Sequence, residues 1–327
     1  MNGFPRRQRG IALLVALLTV ALATILIAGL LDRGELALAR TRNALRGEQA
    51  QAYAQGLEAY AAQILLKDLS DDDGSSDAST DIWAVPLPPQ EVPGGIISAT
   101  VRDMNGCFNL NNLSSDNVDN GTWGAVFARL LAVRGVSADL AEAVRSWLDE
   151  QSSSDSDDTY YLSLPVPYRR GRHAFAHVSE LRLVRGVTSE VYAQLAPFVC
   201  ALPTGTKLNV NTASVPVLQA LGDGITQAVA ESLWQGGQAH WPSAEFLTQW
   251  KDQGIKVDER LSKRTLSTAS SYFLARGDMT LDGVPFTFYS LIERRIGDGV
   301  RVLERSRGSD DALVAAALPR DSGASAP

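Results

Sequence analysis

A cluster of potential metal ligands lies between residues 147 and 160. This stretch holds five carboxylates within ten residues, and calcium takes about six to eight hard oxygen ligands of this kind. The spacing differs from that of an EF-hand, because the glycine of the sharp turn and the bidentate glutamate are absent. A calcium site and a solvated acidic loop both remain open as interpretations. The candidate ligands are Asp149, Glu150, Asp155, Asp157 and Asp158.

The other side chains that could do chemistry do not form a recognisable catalytic set. The three histidines, His173, His177 and His240, lack the H-E-x-x-H pattern and a nearby cysteine. Neither G-x-S-x-G nor G-x-x-x-x-G-K-[ST] occurs in the sequence. The sequence therefore gives no support for a hydrolase or a nucleotidase, and we expect a protein that is not an enzyme.

The N-terminus has the composition of a membrane anchor. Residues 11–31 form an uncharged run of 21 residues, which is enough for a helix to cross a hydrocarbon core about 30 Å thick. Arg6, Arg7 and Arg9 precede this run, and no acid lies in residues 1–10. The positive-inside rule therefore predicts a cytoplasmic leader and places the rest of the chain outside the cytoplasm. A secretory signal peptide and a plain anchor are the alternatives, although a signal peptide has a shorter apolar core.

One long helix is predicted to continue from the anchor into the soluble part. No proline occurs between Ile11 and Leu66, and apolar residues recur at helical spacing over residues 34–67. The aspartate-rich stretch of residues 68–81 is expected to break the helix and form a mobile, solvated loop. The alternative is a membrane helix followed by an unrelated coiled-coil stalk.

The pattern after this loop predicts strands on both sides of a helical region. Strands are expected at residues 96–102, 270–275, 279–281 and 285–293, with a hairpin turn at Asp282-Gly283. Between them, residues 114–266 show the three- and four-residue apolar spacing of helices. The fold class is therefore α+β: a long N-terminal helix and an antiparallel sheet, with a large all-helical domain inserted between strands.

The junction of Gly10 and Ile11 resembles the class III leader of type IV prepilins and type II secretion pseudopilins. In those families a membrane aspartyl peptidase cuts after the glycine and the new N-terminus is methylated, which implies that Ile11 is the first mature residue. Most members carry glutamate at the fifth mature position, where this chain has Val15. A carboxylate in a membrane is costly unless it is paired, so this absence resembles minor pseudopilin K, the tip subunit of the type II secretion pseudopilus. The alternative is that Val15 is one more apolar residue of a generic anchor.

Internal motifs extend the resemblance to pseudopilin K over about three quarters of the chain. Residues 103–113 (DMNGCFNLNNL) and 208–214 (LNVNTAS) resemble two segments of that family, and shorter motifs between them follow the family order. L-N-V-N-T-A also occurs in helix-hairpin-helix DNA-binding modules. However, residues 206–250 carry one base and three acids, and the whole chain has a net charge of −7, so nucleic acid is not expected as a partner. We interpret Asn209, Asn211 and Thr212 as residues that cap a helix and satisfy turn amides.

The resemblance implies a pilin-like organisation and a role in protein export. The implied protein is a non-enzymatic, single-pass subunit of the inner membrane with its globular part in the periplasm. At the pseudopilus tip it would be required for export across the outer membrane and would limit pseudopilus growth. The implied partners are the I- and J-type minor pseudopilins, the major pseudopilin and prepilin peptidase, with secreted exoproteins as further candidates. The alternative is a membrane-anchored periplasmic module of the helix-hairpin-helix type that binds nucleic acid or an exoprotein. The implied segments are a leader (1–10), a transmembrane helix (11–31), a pilin-like helix with first strands (32–113), an inserted helical domain (114–266), returning strands (267–306) and a disordered tail (307–327).

The resemblance also bears on the acidic stretch and on the cysteines. Pseudopilin K members bind calcium in their helical domain through a loop similar to this one, which implies Asp149 and Asp158 most directly, although Gln151 replaces one aspartate. Cys107 and Cys200 are the only cysteines, and their counterparts in some family members are also cysteines. A disulfide between them is therefore implied for a chain that faces the oxidising periplasm. Two separate buried thiols are the alternative.

Overall fold

A single helix, α1, runs from Gln8 to Asp71. The computed structural model describes residues 8–71, 75–149, 155–243 and 245–308, and it describes side chains for these residues except 8–10, 71 and 155–157. Within this part of the chain, α1 is the one helix long and apolar enough to cross a membrane. The chain divides into two compact units, residues 1–55 and 56–327. The continuous helix agrees with the absence of proline from this stretch.

The expectation of a solvated loop at residues 68–81 was wrong. The helix continues through this point to Asp71, and Asp68, Ser76 and Asp77 are buried. Composition alone marks such a segment as solvated, but a buried partner of opposite charge reverses that preference. The partner lies more than two hundred residues further along the chain and is described below.

Five strands form one antiparallel sheet in the order β1-β2-β7-β8-β9. The turn between β7 and β8 has positive φ at both Asp282 (47°) and Gly283 (78°), as the predicted hairpin requires. Strands β1 and β9 were not predicted. In β1 the pattern is obscured by prolines, which are typical of edge strands only. The described strands are β1 (Leu87–Val92), β2 (Gly95–Asp103), β3 (Phe108–Asn109), β4 (Val199–Cys200), β5 (Leu208–Asn209), β6 (Leu266–Ser267), β7 (Tyr272–Leu281), β8 (Val284–Arg295) and β9 (Gly299–Arg307).

The C-terminal part of α1, from Gly56 onward, packs on one face of this sheet. Ala61 and Leu65 lie in a buried cluster with Phe273 and Ile292 of the sheet. A Cβ atom at Gly277 would lie 2.8 Å from Cδ1 of Leu57, so the absence of a side chain at this position lets helix and strand approach closely. Helix and sheet together give the expected pilin-like core.

The helical domain is inserted between β2 and β7, as the sequence predicts. Its two connections are adjacent, because Asp103 at the end of β2 pairs with Phe273 near the start of β7. The domain has a large hydrophobic core, which extends onto the sheet at Leu274 and Tyr289. The helical spacing of residues 179–184 corresponds to a 3-10 helix, Val178–Leu183. The α-helices are α2 (Asn120–Val133), α3 (Asp139–Leu148), α4 (Asp155–Leu162), α5 (Ser189–Leu195), α6 (Val215–Gln219), α7 (Gln227–Trp234) and α8 (Phe246–Asp252).

Candidate functional sites

Two copies of an N-x-N turn organise the helical domain. The first is Asn109-Leu110-Asn111 and the second, one hundred positions later, is Asn209-Val210-Asn211. In each copy the side-chain oxygen of the first asparagine accepts a hydrogen bond from the backbone N–H of the second, at 3.1 Å and 2.9 Å respectively. The first turn begins in the two-residue strand β3, which pairs in parallel with β4. The second turn begins in the two-residue strand β5, which pairs in parallel with β6.

The second asparagine of each turn holds the backbone of a distant aromatic residue. The Asn111 amide accepts from the N–H of Phe175 at 2.7 Å and donates to its carbonyl at 3.0 Å. The Asn211 amide does the same for Trp241, at 2.7 Å and 3.4 Å. Because buried backbone groups need partners, each asparagine supplies a donor and an acceptor at a position that no helix or strand covers. The domain therefore consists of two halves built on one plan.

These contacts correct the helix-capping part of our interpretation of residues 209–212. The asparagines do satisfy turn amides, as expected. However, α6 begins at Val215 with Ser214 as its N-cap residue, so neither asparagine caps it. The Thr212 hydroxyl instead donates to the Asp103 carboxylate.

The first half differs from the second by an insertion between its pair of helices, α2 and α3, and Phe175. Residues 149–174 separate α3 from Phe175, whereas only residues 235–240 separate α7 from Trp241. The insertion contains α4 and the acidic stretch singled out as a calcium candidate. The second half has no such segment, so the insertion is an addition to the common plan.

The structure places one of the candidate calcium ligands in an ion-pair cluster. The Asp158 carboxylate accepts a hydrogen bond from Arg170 Nε at 2.8 Å and another from Arg172. The hydrogen bond from Arg170 is the main cause that lowers the pKa of Asp158. Asp149 lies directly after α3. Glu150 and the side chains of Asp155 and Asp157 lie outside the described residues, so the calcium site stays a prediction.

The two cysteines form the implied disulfide. Cys107 and Cys200 are bonded with their Cα atoms 5.8 Å apart, a separation within the usual range for such a bond. Both residues are buried. The bond lies beside the parallel pairing of β3 with β4, so it fastens the start of the first half to its end.

A buried ion-pair network fastens α1 and the loop after it to the sheet. Arg294 of β8 donates to Asp68 of α1 at 2.8 Å and to both carboxylate oxygens of Asp77 at 2.5 Å and 2.6 Å. The Arg294 side chain is 2% exposed and that of Asp77 is 0% exposed. Burial raises the pKa of both aspartates. Asp81 lies close enough to complete a three-carboxylate group that could hold a metal ion, but Arg294 already supplies positive charge to two of the three.

A second buried carboxylate joins the sheet to the helical domain. Asp103 accepts hydrogen bonds from the Asn105 backbone at 2.7 Å, from Asn209 at 3.0 Å, from Ser270 at 2.6 Å and from Thr212. Desolvation raises the pKa of Asp103. Asp103 is the first residue of the motif at residues 103–113, but the sequence alone indicates no role for it. The repeated N-x-N pattern is the signal that could have indicated a buried polar junction.

Comparison with known proteins identifies the family. Two family models, both described as type II secretion system (T2SS), protein K, match residues 106–204 and 208–265. The type II secretion system protein K of Pectobacterium carotovorum subsp. carotovorum is 34% identical, over 92% of this chain and 97% of the relative. That of Aeromonas hydrophila is 36% identical, over 94% and 96%. The chain belongs to the type II secretion system protein K family.

A solved structure of a protein K relative supports the fold as well. The crystal structure of the GspK-GspI-GspJ complex from enterotoxigenic Escherichia coli matches with a TM-score of 0.71 and 30% sequence identity, over 82% of this chain and 99% of the matched chain. The matches to the two family models meet between residues 204 and 208, which is also where the two halves of the helical domain meet. Each model therefore contains one N-x-N turn.

The second half of this protein K domain lacks the surface that a helix-hairpin-helix module offers to DNA. Such a module presents its hairpin loop to a phosphate. Here a Cβ atom at Gly222 in that loop would lie 2.3 Å from the carbonyl oxygen of Lys256, because residues 256–258 cover the loop. The neighbouring Asp223 carboxylate pairs with Arg129 at 2.5 Å. The covered loop and its carboxylate disfavour the nucleic-acid alternative.

Proposed function

We propose that this protein is a non-enzymatic minor pseudopilin of the type II secretion system that lies at the tip of the periplasmic pseudopilus. The observation that carries the proposal is the match, over most of both chains, to a protein K relative solved in a complex with GspI and GspJ. On this proposal the partners are the I- and J-type minor pseudopilins, and the major pseudopilin lies below them. The protein acts by its shape in promoting export across the outer membrane, and no catalytic group takes part.

The mechanism follows from the way the helical domain is attached. The chain leaves the sheet after Asp103 and returns at Tyr272, and these residues lie on adjacent strands at one end of the sheet. A bulky domain at that end blocks the position that a further subunit would occupy. Val15 fits this role, because a subunit with nothing above it needs no carboxylate for the N-terminus of a neighbour. Both features limit growth of the pseudopilus.

The proposal is tested by co-purification of this chain with I- and J-type pseudopilins from the same organism. We expect one complex of all three that survives size-exclusion chromatography, with the major pseudopilin absent from it. Elution of this chain alone at concentrations of about 10 μM would contradict the proposed place at the tip.

We propose further that prepilin peptidase cuts between Gly10 and Ile11, which leaves a single-pass inner-membrane protein with its globular part in the periplasm. Intact-mass measurement of the membrane-extracted chain is expected to give the mass of residues 11–327 with a methylated N-terminus. A Gly10→Val variant should stay uncut, whereas Gly29→Val, a matched change inside the anchor, should be processed normally. A mature chain that retains Arg6 and Arg7 would rule out this processing.

We also propose that the insertion binds calcium through Asp149, Glu150, Asp155, Asp157 and Asp158. If only the folded form binds, calcium at about ten- to hundredfold excess over Kd adds about 1.4–2.7 kcal/mol to the free energy of unfolding. Thermal melts in calcium and in chelator should therefore differ for the wild type. The difference should shrink in Asp149→Asn and persist in Asp139→Asn, which alters an acid of the same half outside the insertion. Equal melting temperatures in both buffers would leave a solvated acidic loop.

A further inference from the structure

A groove lies between the helical domain and the face of the sheet that points away from α1. Its floor includes Leu274 of β7 and Leu291 of β8, which are partners in the strand register. Because successive side chains of a strand point to opposite faces, both lie on the other face from Phe273 and Ile292, which pack in the cluster with α1. We call this feature the sheet groove. It encloses about 430 Å³, including its open mouth.

The sides of the sheet groove are apolar. Val178 and Leu202 line it from the helical domain, and each is 2% exposed. The mouth lies between Ala176 and Glu304, which are the exposed residues of the lining. Protein interiors are close-packed, and side chains beside an unfilled gap lose dispersion contacts with partner atoms. An aliphatic side chain that enters the groove therefore supplies the missing contacts.

The chain leaves β9 at the rim of the sheet groove. Ser306 belongs to the groove lining, and β9 ends one residue later at Arg307. The predicted tail of residues 307–327 thus begins with a strand residue, and residues 309–327 lie outside the described residues. Gly308 has a φ of 67°, a conformation that glycine adopts at turns. The chain can therefore turn away from the strand direction beside the groove.

An apolar run follows within reach of the sheet groove. Residues 312–318 read Ala-Leu-Val-Ala-Ala-Ala-Leu, with two aspartates before them and a proline and an arginine after them. An extended chain spans at most about 3.6 Å per residue, so this run begins no more than about 14 Å from Gly308. Apolar runs exposed to water are unusual unless another surface covers them. The run and the groove therefore suit each other in chemistry and in position.

We propose that residues 312–318 pack into the sheet groove of the same chain. Leu313 and Leu318 enter the groove and contact Leu202 and Leu291, while the charged residues on either side of the run stay in water. A short tether gives the segment an effective concentration on the order of millimolar. This concentration favours the attached segment over a separate partner in solution.

The packed segment would form a third connection between the sheet and the helical domain. The two chain connections lie at one end of the sheet, where Asp103 of β2 pairs with Phe273 of β7. Strand β9 is the edge strand at the other side of β8, and the segment fastens that edge to the domain. The helical domain then keeps one orientation on the sheet. This role goes beyond the proposed function and does not depend on it.

The test is photo-crosslinking in the full chain, held in phosphatidylcholine nanodiscs. The photoreactive residue p-benzoylphenylalanine replaces Leu313, and in a matched control it replaces Ala324 of the same tail. We expect position 313 to crosslink to residues of the groove lining such as Met104 and Leu291, as mapped by mass spectrometry. The yield at position 324 should be much lower.

A pair of tail variants tests whether apolar packing holds the segment, and both leave the described residues unchanged. Leu318→Asp should lower the crosslink yield at position 313 severalfold, because burial of a leucine is worth about a factor of ten or more in an equilibrium constant. Ala326→Asp adds the same charge outside the apolar run and should leave the yield unchanged.

A mixture of unlabelled and heavy-isotope-labelled chains separates contacts within one chain from contacts between copies. Crosslinks that join labelled to unlabelled chains would overturn the proposal and identify a second copy as the occupant of the sheet groove. Equal yields at positions 313 and 324, crosslinks confined to residues outside the lining, or an unchanged yield in Leu318→Asp would overturn it as well.

Discussion

Replacement of Arg294 by methionine is expected to lower the free energy of unfolding of residues 56–327 by about 3–5 kcal/mol. The variant leaves Asp68 and Asp77 buried without their common cation, and the cost of an unpaired buried charge exceeds the value of the pair itself. Urea denaturation followed by tryptophan fluorescence measures the change. Trp83 is a suitable reporter, because its ring lies 5.2 Å from that of Phe273, over which the Arg294 guanidinium is stacked.

Two variants separate this effect from a general loss of charge. Arg305→Met removes another arginine that pairs with a carboxylate, Glu58, but the Arg305 side chain is 58% exposed. Exposed pairs contribute about 0–1 kcal/mol, so this variant should unfold nearly as the wild type does. The double variant Asp77→Asn, Arg294→Met removes both charges and should recover part of the loss. If Arg294→Met lowers the free energy of unfolding no more than Arg305→Met does, the buried network does not hold α1 to the sheet.

Removal of the disulfide by the double change Cys107→Ala, Cys200→Ala is expected to cost about 2–5 kcal/mol of unfolding free energy. The bond joins residues 93 positions apart, and the chain-entropy model gives about 4–5 kcal/mol for a loop of that length. Denaturation of the oxidised wild type and of the variant measures the difference.

A reducing agent provides the control for this second prediction. It should destabilise the wild type and leave the double variant unchanged, because the variant has no other cysteine. A loss below about 1 kcal/mol would show that the parallel pairing of β3 with β4 and the Asn111 hydrogen bonds hold the first half together without the covalent bond.

The sequence predicted those parts of the fold that have a long periodic pattern. The helix α1, strand β2, the β7–β8 hairpin and the helices α2, α3, α5, α6 and α7 of the inserted domain all combine apolar periodicity with clear turn residues. The short helices α4 and α8 were not predicted. The short strands β3 to β6 could not be predicted in this way, because two residues carry no period. Their positions depend on the N-x-N turns, whose hydrogen bonds reach 64 and 30 residues along the chain, to Phe175 and Trp241.

The burial of charged side chains is the main feature that the sequence did not predict. Asp68 and Asp77 lie in a stretch of aspartates and serines whose composition is typical of a solvated loop. Their burial depends on Arg294, which is 217 residues from Asp77, and single-sequence patterns do not report such pairings.

The sharing of Arg294 by two aspartates makes the attachment of α1 sensitive to the acidity of the medium. Burial raises the pKa of Asp68 from 3.8 to about 6, so the folded chain holds a proton there that the unfolded chain releases. The stabilisation from this proton is complete below about pH 4 and is lost as the pH rises through about 6. Through Asp68, the folded chain is therefore more stable against unfolding in a mildly acidic medium than in a neutral one.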